Sequence, residues 1–168
     1  MSFARRAALG IVLLTAGACL RSPAPIAPAP PFELVELGTA KAVKLGDLKG
    51  KVIVLDFWAT WCGPCIAEIP NYIDFWNKNK DRGVEVVGVV VESGEPEDIL
   101  EFVREHKIPY RQLLGDDKTV DAYNVNQGLP MTLVIDAEGK IRTKTLGSDL
   151  MKFRRLQQTV DGLLERKS

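Results

Sequence analysis

Apolar positions along this chain follow two alternating rhythms. Continuous apolar runs in KVIVLDFWA (51–59) and VEVVGVVVES (84–93) predict strands covered on both faces. Shorter alternating stretches, FELVEL (32–37) and KAVKL (41–45), predict a hairpin turning at Gly38–Thr39. A second hairpin is predicted for MTLVID (131–136) and KIRTKTLG (140–147), joined across AEGK. Helical spacing fills the intervals. GPCIAEIPNYIDFWNKNK (63–80) has Pro64 in its first turn and a kink expected at Pro70. EPEDILEFVREHK (95–107) places Ile99, Phe102 and Val103 on one face, and DDKTVDAYNV (116–125) reads as a shorter helix. SDLMKFRRLQQTVDGLLER (148–166) closes the chain as a helix with Ser148 as its N-cap and basic residues in its last turn. The predicted order is β-β-β-α-β-α-α-β-β-α. It describes one α/β domain over residues 32–168, with a central mixed sheet flanked by helices and an N-terminal β-hairpin extension.

The first residues follow neither rhythm. Arg5 and Arg6 precede an apolar run from Ala7 to Ala18, which ends in the small residues Ala16-Gly17-Ala18. This is the layout of a secretory signal peptide over 1–18, and the run is shorter than the roughly 20 residues a membrane span needs. Cys19 follows directly, where a bacterial lipoprotein carries its lipidated cysteine, although Ala16 stands at −3 where Leu is usual. Lipidation would remove an odd third thiol from an oxidising compartment. Leu20 in the next position leans towards outer-membrane sorting. Residues 19–31 then read as a linker, since SPAPIAPAPP (22–31) alternates proline with small residues and favours extended polyproline II. The expected location is the periplasmic side, anchored to the membrane as a lipoprotein.

Composition narrows the function. Of 168 residues, 46% are apolar and 26% charged, with 22 basic and 22 acidic side chains, so the ordinary composition of one globular domain carries no basic field for nucleic acid. Two of the three cysteines, Cys62 and Cys65, are separated only by Gly63 and Pro64. A structural zinc site needs four ligands, and His106 is the single histidine; covalent haem needs C-x-x-C-H, and Ile66 follows Cys65. A permanent staple across so small a loop would gain little entropy. Redox exchange fits better. Cys62 falls where a buried strand ends and a helix begins, so free helix N–H groups and the positive dipole end stabilise its thiolate. Cys65, one turn further in, is expected to be buried and less ionised, which makes Cys62 the attacking sulfur and Cys65 the resolving one.

DFWATWCGPC resembles the thioredoxin active site, and WCGPCIAEIP resembles the W-C-x-x-C-x-x-E-x-P signature of TlpA/ResA-like thioredoxins, membrane-anchored extracytoplasmic thiol–disulfide oxidoreductases. YNVNQGLPMTLVIDAEGKI is similar to the same family's Y-x-V-x-x-x-P-x-T-x-x-I-D-x-x-G. The resemblance implies a thioredoxin-like fold of the AhpC/TSA–redoxin type. It makes Pro130 a cis proline opposite the cysteines, which turns the backbone of Leu129 outward for a substrate peptide to pair with. Trp61 flanks the site and, with Gly63 and Pro64, belongs to the docking surface. Two carboxyls are candidates for proton transfer, Glu68 three residues after Cys65 and Asp56 six residues before Cys62. The family carries Glu at the first position, whereas Asp at the second is more thioredoxin-like; this chain has both. Gly147 is expected to permit a close approach near the site.

The expected activity is reduction of disulfides in client proteins, with no cofactor or metal beyond the Cys62–Cys65 pair itself. The resemblance suggests apocytochrome c as client, hence a role in cytochrome c maturation. An exported reductant also needs a membrane electron donor. The alternatives are a disulfide-forming oxidase or isomerase, a thiol peroxidase, and a copper-binding chaperone.

Overall fold

A computed structural model describes residues 27–166. The signal peptide and Cys19 lie outside the described residues. The elements are β1 (Ala27–Pro28), β2 (Glu33–Glu36), β3 (Ala42–Lys44), β4 (Val52–Trp58), α1 (Gly63–Asn79), β5 (Val84–Val90), α2 (Pro96–Glu105), β6 (Arg111–Leu114), α3 (Asp117–Ala122), β7 (Met131–Ile135), β8 (Lys140–Leu146) and α4 (Lys152–Glu165). The strands form one mixed sheet in the order β1-β8-β7-β4-β5-β6-β2-β3. β4, β5 and β6 run parallel, and the remaining pairings are antiparallel. The fold is thioredoxin-like α/β, as expected, with the β2–β3 hairpin added beyond β6.

The period-two alternation of β4 divides the core. Val52, Val54 and Trp58 face α1, α2 and α4, meeting Ile69, Tyr72, Phe75, Ile99, Leu156 and Val160. Ile53, Leu55 and Phe57 face the other way, onto Phe32, Leu34, Val43, Leu45, Leu48 and Tyr123. The N-terminal hairpin is therefore a lid on one half of the core. Each buried Leu, Ile or Phe there contributes about 1.5–3 kcal/mol from apolar burial.

Four features differ from the reading of the sequence. β6 was not anticipated: four residues, RQLL, are too few to show a period, and pairing with β5 and β2 on either side makes them a strand. Ser148 is not an N-cap. α4 begins at Lys152, after a loop in which Asp149 accepts from the Met151 amide at 2.8 Å and pairs with Arg155, and its basic C-terminal residue, Arg166, lies just past the helix. The sheet also takes in Ala27 and Pro28 on β8, ahead of the expected start at Phe32. Pro28 is tolerated there because an edge strand can leave one side unbonded. α1 runs unbroken through Pro70, which lies on its solvent face. Among the described residues no helix is long and apolar enough to cross a membrane.

One row of residues crosses the middle of the sheet beneath α1. Thr132 of β7 lies opposite Asp56 of β4, Asp56 opposite Gly88 of β5, and Gly88 opposite Gln112 of β6. The row is polar in a face that is otherwise apolar. Gln112 leans over Gly88, accepts from the Trp58 indole at 2.9 Å and donates to the Tyr110 carbonyl. A Cβ on Gly88 would lie 2.2 Å from Gln112 Oε1. Gly88→Ala is expected to expel the Gln112 amide from two buried hydrogen bonds and to destabilise the protein by about 1–3 kcal/mol in urea titration.

Candidate active site

β4 ends at Trp58, and the chain turns through Ala59–Trp61 before α1 begins. The Cys62 amide donates to Ala59 O at 3.1 Å, which closes this turn, and Cys62 becomes the N-cap of α1. Its Sγ accepts from the Cys65 amide at 3.3 Å, occupying a place where a Ser or Asp oxygen would ordinarily cap a helix. Pro64 fits the first turn because its missing N–H has no helical partner to lose. Cys62 and Cys65 are joined in a disulfide with Cα atoms 5.2 Å apart. They are almost equally covered, 5% and 4% exposed, while Gly63 and Pro64 are open to solvent. The expected difference between the sulfurs is therefore not one of coverage. It lies in the helix start, where Cys62 holds the amide.

Trp61 is 61% exposed, and its indole donates to Glu92 O at 2.7 Å, so the ring is held beside the cysteine turn. The Thr60 amide donates to Ser93 Oγ, tying the same turn to the loop after β5. Leu129–Pro130 is a cis peptide. Leu129 packs against the cluster that contains both cysteines. The Gly147 amide donates to Pro130 O at 2.8 Å, and Gly147 has φ +81°, a left-handed conformation that favours glycine. A Cβ there would meet nothing within 4 Å, so the backbone conformation, and not close approach, accounts for this glycine. Leu146, Leu150 and Met151, around this link, are exposed apolar residues.

The two expected carboxyls, Asp56 of β4 and Glu68 of α1, are both buried. Asp56 Oδ1 accepts from the Tyr72 hydroxyl at 2.6 Å and from the Thr132 hydroxyl at 2.9 Å, and these two oxygens are themselves 2.7 Å apart. Burial raises the Asp56 pKa from 3.8 to about 6, against the opposing effects of Lys152 and the two hydroxyls. Burial and the neighbouring Asp56 also hold the Tyr72 hydroxyl well above its ordinary value. Glu68 is 3% exposed; its Oε2 lies 2.5 Å from Lys152 Nζ, and its Oε1 is buried without a hydrogen-bond partner among the described residues. Among those residues no group of three or more His, Cys, Asp or Glu side chains could hold a metal ion.

Three members of this cluster escaped the sequence reading. Tyr72 falls four residues after Glu68, on the same stripe as Cys65 and Ile69, so helical spacing could have found it. Thr132 stands two residues after Pro130 in the quoted family pattern. Lys152 carried no signal: in MKFRR it is one cation among three, and only the packing of α4 shows that it turns inward.

The comparisons agree with this geometry. The AhpC/TSA family model matches residues 26–144. The thiol-disulfide oxidoreductase ResA of Bacillus subtilis (strain 168) is 39% identical over 115 residues, 67% of this chain and 62% of the relative. Its counterpart in Bacillus cereus (strain ZK / E33L) is 33% identical over 120 residues, 71% and 68% of the two chains. A crystal structure from Chlorobium tepidum, assigned as a thiol:disulfide interchange protein DsbE, has 30% identity and a TM-score of 0.75, covering 82% of this chain and 96% of that one. The thioredoxin domain of a Bacteroides vulgatus thiol-disulfide oxidoreductase gives 30% identity and 0.72, covering 82% and 98%. With the Cys62–Cys65 disulfide at the start of α1, these likenesses place the chain in the AhpC/TSA family as a ResA-like thiol–disulfide oxidoreductase.

Proposed function

We propose that this oxidoreductase works as a reductant of disulfides in client proteins outside the cytoplasm. The observation that carries the reading is the position of Cys62 Sγ, held as the N-cap of α1 with a buried carboxyl cluster behind the same helix. In the reduced protein the Cys62 thiolate attacks one sulfur of a client disulfide. A mixed disulfide forms, and the other client sulfur leaves with the electron pair and takes a proton. Cys65 then loses its proton to a buried carboxyl and attacks Cys62 Sγ, so the Cys62–client bond breaks and the Cys62–Cys65 bond forms. The client gains two electrons and becomes a dithiol; the protein loses two and becomes the disulfide.

Trp61, Gly63, Pro64, Leu129 and Pro130 supply the surface on which the client rests, and the backbone of Leu129 offers an edge to an extended segment. Apocytochrome c is the client suggested by the motif resemblance, because its own cysteine pair must be reduced before haem attachment. Export on residues 1–18, lipidation at Cys19 and a membrane electron donor complete the reading. Asp56 and Glu68 are the carboxyls available to take the Cys65 proton.

The direction of electron flow is open to measurement. A reductant with a Gly-Pro dipeptide between its cysteines is expected near about −270 mV, whereas an oxidase would lie near about −120 mV. A value above about −200 mV in glutathione or dithiothreitol redox buffers would refute the reductant reading. Cys65→Ser is expected to accumulate mixed disulfides on Cys62 in the native host, identifiable by mass spectrometry, and Cys62→Ser is not. Recovery of cytochrome c assembly proteins among the trapped partners supports the client class, and their absence removes it.

Asp56 makes the stability of the protein depend on pH. Its native pKa, about 6, exceeds the unfolded value of 3.8, so the native state binds the proton more tightly. That contribution is fully present below about pH 4 and is lost as the pH rises through about 6, for a total of about 3 kcal/mol. Asp56→Asn is expected to flatten this part of the profile and to leave the oxidised protein about 1–3 kcal/mol more stable at pH 8, read from denaturant titrations at pH 5 and 8.

A further inference from the structure

The strand that ties the N-terminal segment to the sheet has a direction, and that direction bears on where the cysteines face. Ala27 of β1 lies opposite Ile141 of β8, Ile141 opposite Ile135 of β7, and Ile135 opposite Ile53 of β4. Four residues further along β4, about 13 Å, a second row crosses the sheet. There Leu146 lies opposite Met131 and Met131 opposite Phe57, one residue before Trp58 and the turn that carries Cys62. β1 is antiparallel to β8, so its N-terminal direction runs from the first row towards the second. The backbone at Ala27 is thus aimed at the sulfur end.

The strap around Ala27 is held in place. The Ala29 amide donates to Gly139 O at 2.9 Å, the Tyr123 hydroxyl donates to Pro30 O at 2.8 Å, and Phe32 is buried. Ala29 and Ala27 turn the same edge to β8; Pro25 and Pro23, the next residues of that parity, have no N–H with which to lengthen the ladder. Ser22 and Ala24 precede prolines and are biased to extended backbone, so a reversal between Cys19 and Ala27 is disfavoured. Cys19 stands eight residues before Ala27, a reach of at most about 29 Å. About 13 Å of that is taken up in drawing level with the sulfur end. At most about 16 Å then separates an anchored Cys19 from that end of the sheet.

The same end carries the apolar surface. The exposed large apolar side chains among the described residues are Val35, Trp61, Leu146, Leu150 and Met151. Val35 falls in line with Trp58 through Leu114 and Val90, and Leu146 ends the second row. Leu150 and Met151 follow in the loop that is bonded at Gly147 to Pro130 O. Leu150 is 102% exposed. Exposed acids, Glu92, Glu95, Glu97 and Asp98, border this end on the side of α2 and would be repelled by anionic headgroups. Leu146, Leu150 and Met151 lie on the opposite side, on and after β8, which is also the strand that β1 joins. A tryptophan beside leucine and methionine suits the boundary between headgroups and acyl chains, where an amphipathic ring finds both of its preferred surroundings.

We propose that the sulfur end of the domain is a membrane-contact face: the β1 strap turns Leu146, Leu150 and Met151, with Trp61 beside them, onto the lipid surface that holds Cys19. The proposal rests on the reading of Cys19 as the anchored residue. These side chains make a weak contact for a free protein, and the tether renders it intramolecular, which populates it. Cys62–Cys65 then lies near the headgroups, within reach of cysteines presented at the membrane surface. That placement suits the membrane electron donor of the preceding reading. Folded partners that stand away from the membrane meet the pair only when the contact breaks.

The test uses the chain from Cys19 onward, which keeps every described residue, with Cys62–Cys65 oxidised so that Cys19 is the reactive thiol. It is coupled through Cys19 to a maleimide headgroup in phosphatidylcholine vesicles whose acyl chains are brominated near the headgroup. Tryptophan fluorescence is expected to be quenched relative to unbrominated vesicles. Trp61→Phe is expected to abolish the effect, because Trp58 is buried and Trp76 lies about 20 Å along α1. Leu150→Ser combined with Met151→Ser changes exposed loop residues. It is expected to lose most of the quenching while the reduced protein keeps its exchange with 5,5′-dithiobis(2-nitrobenzoate) in solution. Moving the attachment to a cysteine added after Ser168, with Cys19→Ser, is expected to lose it too. α4 runs alongside α1, from Lys152 at Glu68 to Asp161 at Arg82, and so ends about 20 Å from the sulfur end. Quenching that is absent from the Cys19-coupled protein, survives Trp61→Phe, or is equal from either attachment overturns the proposal. So does unchanged quenching in the loop variant; if that variant instead loses reduction of oxidised insulin, the patch belongs to a protein partner. An unmodified Cys19 in protein purified from the native host, read by mass spectrometry, defeats the anchor reading and the proposal with it, whatever the vesicles show, so the two failures are distinct.

Discussion

A carboxyl group in the middle of a sheet constrains most of this structure. Asp56 sits on β4, with β5 on one side and β7 on the other, on a face otherwise filled by Val, Ile, Leu and aromatic side chains. Burying it without partners would cost several kcal/mol, so its neighbours are not free to vary. β7 must pair with β4 in the register that brings Thr132 opposite Asp56. α1 must cross the sheet where Tyr72 can reach down to Oδ1. On the other flank Gly88 has no side chain, which leaves room for Gln112 to cover the row. Register, helix placement and side-chain size are thus set around a single group.

The same helix connects that group to the chemistry. Cys65, Glu68, Ile69, Tyr72 and Phe75 form the buried stripe of α1, so the turn that presents the sulfurs and the turn that covers Asp56 belong to one rigid element. Its first turn holds the amide that Cys62 accepts, and its second carries Glu68 against Lys152 of α4. Trp61, Gly63 and Pro64 face solvent, while Asp56, Glu68 and Lys152 are covered. In the proposed reading a client meets an apolar rim and a disulfide, with the charged groups placed behind them.

Much of this was legible in the chain. The apolar runs of β4 and β5 and the alternating hairpins identified the layers, because period two and period 3.6 are local properties that survive packing. The cysteine spacing identified the redox pair, and the strand-to-helix change just before it identified Cys62 as the start of a helix. β6 and the late start of α4 were not legible. Four residues cannot display a period, and Asp149 competed with Ser148 for the amides ahead of the helix.

What the amino-acid order determined by itself is therefore the set of elements, the two sulfurs and the presence of two acids near them, since each depends on neighbours within a turn or a strand. What only the tertiary structure decided is how those acids differ. Lys152 lies 84 positions from Glu68 along the chain and in contact with it in space. Thr132 meets Asp56 across 76. The charge state of a buried carboxyl depends on which polar atoms share its cavity, and long-range packing alone selects them.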